Sequence, residues 1–178
     1  YTTGTTQATD GQSISKWDGA GTTLIDANED TGTGGPNNLK PIFRNTTSLS
    51  INYHPVISFN GTQRFRLSNS VLSPGAANNA MFVVHATTGG TIFVQEKAGA
   101  VIPKFNSDGG LVISKDVSWE TISGGGNGGG TPTLSSFTKT NTNVVKTYKD
   151  GKQFTSVTMS ANPRSSVEGN NFIGERAT

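Results

Sequence analysis

The chain has 178 residues, enough for one domain with a real core. Hydrophobic residues make up 31% and charged residues 15%, both low for a globular protein, and Gly, Thr, Ser and Asn fill the difference, as in strands joined by long turns. The net charge of +2 is carried by scattered Lys and Arg, which disfavours a nucleic-acid partner, since phosphate backbones call for clustered cations. With no cysteine there is no disulfide framework or thiolate metal site, and no apolar run approaches the ~20 residues that would insert directly into a membrane.

In chain order, residues 1–11 are rich in Thr and Gly. Residues 13–17 (SISKW) alternate, with Ile14 the inward candidate. After a brief apolar touch at Leu24 and Ile25, residues 26–38 (DANEDTGTGGPNN) read as a long polar loop. Residues 40–44 (KPIFR) predict a short strand, which Pro41 places at an edge or a strand start. Two segments, 56–59 and 65–67, flank Asn60-Gly61, a turn that right-twisted antiparallel strands prefer, so a hairpin is expected there. In it Phe65 and Leu67 should point inward, and Arg64 and Arg66 outward.

Residues 80–86 (AMFVVHA) form the most continuous apolar run and predict a strand buried on both faces. Further strands are predicted over 91–95, 101–105, 111–114, 134–138, 143–149 and 152–159, with the start of another over 171–176. Asp150-Gly151 marks a hairpin. If its loop has two residues, Tyr148 faces Gln153 and Val144 faces Val157. No stretch shows a sustained helical period, and there is no internal repeat. About ten to twelve short strands with Gly, Asn and Asp turns indicate an all-β sandwich or barrel.

Five pieces line up in order: SISKWDGAG (13–21), LKPIFR (39–44), HPVISFNGTQRFRL (54–67), VVKTYKDGKQF (144–154) and FIGER (172–176). Together the chain resembles the concanavalin A-like, laminin-G-type domains of bacterial surface proteins, and among them those of large gliding-motility adhesins. The resemblance implies a jelly-roll sandwich of two antiparallel sheets. The Trp17 motif is contracted relative to the family, and residues 116–132 look like an insertion. The family's first and last strands have no counterpart in residues 1–178. The expectation is therefore a single sandwich domain, incomplete at both ends, within a longer chain.

Three features could carry chemistry. Asp26, Asn28 and Asp30 place oxygens at alternate positions, as calcium loops do, and laminin-G-like domains often hold calcium at a loop rim. The spacing departs from the EF-hand, because Thr31 stands where Gly is required; the alternative is a solvated acidic loop. Asp108 and Asp116 are further rim ligands to consider. Trp119, read as lying outside any clear strand, and Asn127 in the glycine loop 123–130 are the candidate ligand-binding residues; a Trp face suits a sugar ring, but since Trp is highly buried on average, anchoring that loop is the favoured alternative. His54 and His85 read as hydrogen-bonded structural histidines, and Trp17 and Tyr148 as core or edge packing.

Glucanases on this sandwich carry E-x-D-x-x-E on one strand, and that motif is absent here. With that motif absent, the resemblance implies a non-catalytic extracellular binding or adhesion domain at a bacterial cell surface. Its expected partners are a surface glycan or neighbouring domains of the same long chain. The alternatives are a structural module of a surface or viral fibre and, remotely, a glycoside hydrolase.

Overall fold

A computed structural model describes residues 7–19, 26–29, 40–48, 50–51, 53–59, 63–67, 78–86, 89–97, 100–106, 110–114, 119–126, 130–159 and 171–174. Among them there are fourteen strands and no helix, and every strand pair given below is antiparallel. No helix there is long and apolar enough to cross a membrane. The chain forms two compact units, residues 1–69 with 171–178, and residues 70–170.

The first unit holds β1 (Lys16–Trp17), β2 (Ala27–Glu29), β3 (Ile42–Arg44), β4 (Val56–Ser58), β5 (Arg64–Leu67) and the last strand, β14 (Asn171–Gly174). One sheet runs β1-β2-β5-β14; β3 and β4 form a separate pair. Phe65 and Leu67 are buried while Arg66 is exposed, as the alternation predicts. Arg64 folds its guanidinium over the Phe172 ring at 4.7 Å, covering an apolar face while keeping its charge near water. The expected hairpin around Asn60-Gly61 does not form a ladder. β4 pairs with β3, whereas β5 lies between β2 and β14. Asn60-Gly61 itself lies outside the described residues; on either side of it, Phe59 meets Phe65 edge-on at 6.0 Å.

Of the two places expected for Pro41, it takes the strand start, immediately before β3, and not an open edge. The backbone of residues 11–14 runs beside β3, with the Gly11 N–H donating to the Phe43 carbonyl (2.9 Å) and the Ile14 N–H to the Pro41 carbonyl (2.8 Å). Ile14 is fully buried, as its position in SISKW predicts.

The second unit holds β6 (Asn79–His85), β7 (Thr91–Lys97), β8 (Ala100–Asn106), β9 (Leu111–Ser114), β10 (Trp119–Ile122), β11 (Thr133–Lys139), β12 (Val144–Lys149) and β13 (Lys152–Thr158). These form two layers, one ordered β7-β8-β9-β10 and the other β13-β12-β11-β6. The layers meet where Phe105 packs on Phe137 with ring centroids 5.3 Å apart, and where the buried Thr147 hydroxyl donates to the Ser123 carbonyl at 2.9 Å. This all-β, antiparallel sandwich is the fold class that the sequence predicts.

The Asp150-Gly151 hairpin forms as expected, with φ of 49° and 79°, and Tyr148 faces Gln153. Beyond that pair a β-bulge shifts the register, so that Val144 faces Thr158 rather than Val157. The shift has a packing cause. Without it Phe154 would lie opposite Thr147, which is fully buried and bonded across the layers. With it Phe154 turns outward, and Val157 comes opposite the buried Val145.

Candidate functional site

The expected two-sided burial of residues 80–86 is not met. β6 ends its sheet, and its residues alternate between half-buried and exposed. Met81, Val83 and His85 turn inward, while Phe82 and Val84 turn out and remain 67% and 57% exposed. Residues directly opposite on neighbouring strands share a face. Phe82 is opposite Ser136, Ser136 is opposite Tyr148, and Tyr148 is opposite Gln153. The bulge brings Phe154, 55% exposed, to the same side as Gln153.

A row of aromatic side chains therefore crosses the outer face of β6, β11, β12 and β13. At about 4.8 Å per strand, Phe82 and Tyr148 stand about 10 Å apart, and Phe154 lies one strand further on. Ser136 lies between the rings and is buried. Leu134, opposite Val84, widens the apolar surface by a second row. Large side chains usually turn such area into a core; three of them in register on an outward face make a flat apolar platform.

The described sequence candidates lie on or next to other strands than those of this face. Trp119 is not on a loop: it opens β10, opposite Ser114. Asn127 and Asp30 fall outside the described residues, as do Asp108 and Asp116. Asp26 and Asn28 do not come together as a cation cradle. Both Asp26 oxygens are occupied, Oδ2 by Lys16 Nζ at 2.9 Å and Oδ1 by the Gly19 N–H at 3.1 Å. Lys16 also pairs with Asp18 at 2.6 Å, which with Asp26 raises the lysine's pKa, while Lys16 lowers that of Asp26. Asn28 belongs to β2 rather than to a loop, with Lys16 opposite on one side and Arg66 on the other. Cations thus occupy the surroundings in which a calcium site would gather anions. Among the described residues no group of three His, Cys, Asp or Glu side chains is placed to hold a metal ion.

The histidines differ. His54 is exposed, and its backbone closes a tight turn by exchanging two hydrogen bonds with Ile51. His85 fits the structural reading: Nε2 lies 2.9 Å from the Ser135 hydroxyl, and Nδ1 is buried with no hydrogen-bond partner among the described residues. Burial lowers the His85 pKa below the ordinary 6.5, with Asp150 opposing the shift and Lys149 adding to it. The unfolded chain therefore takes up this proton first as pH falls. The stabilisation from the neutral ring is complete above the unfolded value and is lost as pH drops through 6.5 toward the lower folded value. Thermal melts from pH 7.5 to 5.5 should show a declining midpoint, with a shallower decline for His85→Gln. Equal slopes would remove His85 as the cause.

No family model matches this sequence, and no curated protein matches it significantly. Among solved structures it is similar to domain 4 of AbnA, a GH43 extracellular arabinanase from Geobacillus stearothermophilus, determined in complex with arabinotriose. The identity is 15% and the TM-score 0.55, over 78% of this chain and 68% of that one. At that identity the likeness is one of fold: the chain belongs to the β-sandwich class.

Proposed function

We propose that this protein is a non-catalytic glycan-binding domain of an extracellular bacterial surface or secreted protein, and that it holds its ligand on the outer face of β6, β11, β12 and β13. The observation that carries this reading is the row Phe82–Tyr148–Phe154 on one sheet face, with the half-buried Tyr148 between two exposed rings. A sugar ring has an apolar face of C–H groups and a rim of hydroxyls. Flat aromatic side chains cover the first, and the Ser136 hydroxyl and the Gln153 amide between and beside them suit the second. The row is long enough for a short oligosaccharide lying across the strands. The oligosaccharide bound by the similarly folded arabinanase domain supports the same ligand class. Adhesion to a glycan-coated surface is the setting we assign to this binding.

Affinity electrophoresis against soluble polysaccharides tests the reading. The wild-type protein should be retarded by at least one of them. Phe82→Ala and Phe154→Ala each remove apolar area worth about 1.5 kcal/mol when covered, so each should weaken binding about tenfold. Both are surface positions, so the thermal midpoint should stay close to wild type. Undiminished binding in the double variant would refute the platform. Absence of binding to any polysaccharide would shift the assignment to a structural module of a surface fibre.

A further inference from the structure

The same face carries a charge signature. Among the described outward positions of β6, β11, β12 and β13, Lys146 is the only charged residue. It lies on β12 two residues before Tyr148, about 7 Å along the strand. Its neighbours across the ladder are Thr138 and Ser156, with Ala80 beyond Thr138. All are short, and none is an acid. Among the described residues Lys146 makes no ion pair, unlike Lys16 and Lys40, which pair with carboxylates. Asp150, at the hairpin tip, directs a carboxylate oxygen to the Leu134 N–H at 2.9 Å.

We infer that the face selects an acidic polysaccharide, one whose sugar rings carry uronate carboxylates. The inference rests on the glycan-binding reading above and deepens it. A ring stacked on Tyr148 places its substituents one pleat away, where the Lys146 ammonium stands with no ion-pair partner among the described residues. A uronate carboxylate lies at the rim of the ring and carries one negative charge, which one lysine matches. A glycan with several sulfates per repeat would call for a cluster of cations, and the described residues of this face include a single one. Among the described residues no carboxylate on the face repels the ligand.

The probe is polygalacturonate, compared with its fully methyl-esterified form, which has the same backbone without the charge. Binding is measured by calorimetry at low salt for wild type, Lys146→Ala and Phe82→Ala. The wild type should prefer the acid form about three- to fivefold, the range of an exposed charge pair, and the preference should shrink as salt is added. Lys146→Ala should bind the two forms equally, at the wild-type affinity for the ester. Phe82→Ala should weaken both together. A wild-type protein that binds both forms equally, or a Lys146→Ala protein that keeps the acid preference, overturns the inference and leaves the platform standing. Stronger binding of dextran sulfate than of polygalacturonate overturns the uronate assignment. If wild type binds these probes but Phe82→Ala changes nothing, the platform reading fails with it.

Discussion

Phe65→Ala is expected to cost about 3–5 kcal/mol of stability, the range for removing a fully buried aromatic ring. Phe65 has no exposed surface. It lies on β5 between Glu29 of β2 and Ile173 of β14, so strands on both sides fix its backbone. The Phe59 ring meets it edge-on, at 88° between planes. Truncation removes the apolar transfer energy and leaves a cavity that these neighbours cannot easily close, because the ladders hold them. A domain stable by about 5–15 kcal/mol would lose a large part of its margin. Urea denaturation checks this, with Phe65→Leu as the companion. Leucine fills most of the volume and should cost less than half as much. A loss below about 1 kcal/mol for the alanine variant would mean that Phe65 is not a core anchor.

Phe65 also marks what the sequence could and could not disclose. Its inward direction was readable, because Arg64, Arg66 and the residues between them alternate, and alternation is the signature of a half-buried strand. Its partners were not. Asn60-Gly61 favours a tight hairpin, but a turn preference is a local term. The pairing was decided by which strands β4 and β5 could each bury against, and they joined different sheets.

The candidate site was hidden for related reasons. An apolar run such as AMFVVHA shows that its residues tolerate burial, not that a second layer covers both faces. Phe82 and Val84 therefore read as core, although they stand on an uncovered face. Phe154 was masked by the bulge. One extra residue reverses the facing of everything beyond it, and nothing in KQFTSV announces the shift. The useful signal lay in Thr147, a polar residue at an inward position. A buried hydroxyl at such a position needs a partner across the layers, which disfavours a ring opposite it. The acidic stretch shows a local limit of another kind. Alternate oxygens suit a calcium loop where the backbone curls; Ala27–Glu29 is a strand, and Asp30 lies outside the described residues.

Gly174→Ala should be the most damaging single-methyl change in the first unit, at about 2–4 kcal/mol. Two separate penalties coincide there. The residue has φ of +96°, a conformation that side-chain-bearing L residues adopt at a cost. A Cβ would also stand 2.8 Å from the Gln63 carbonyl oxygen and 2.9 Å from a Phe59 ring carbon. The carbonyl belongs to the backbone leading into β5, and the ring is held by Phe65, so neither gives way cheaply. Two other glycines separate the terms. Gly151 has φ of +79° with nothing within 4 Å of its Cβ position, so Gly151→Ala bears the conformational cost alone, about 1 kcal/mol. Gly125 lies outside the positive-φ region but would place its methyl 2.9 Å from Lys149 Cβ, so Gly125→Ala bears the steric cost alone. Chemical denaturation of the three variants should rank Gly174→Ala as the worst, by roughly the sum of the other two. A Gly174→Ala protein no less stable than Gly151→Ala would show that the carbonyl and ring move aside, and that β14 is held less firmly against β5 than its three paired residues indicate.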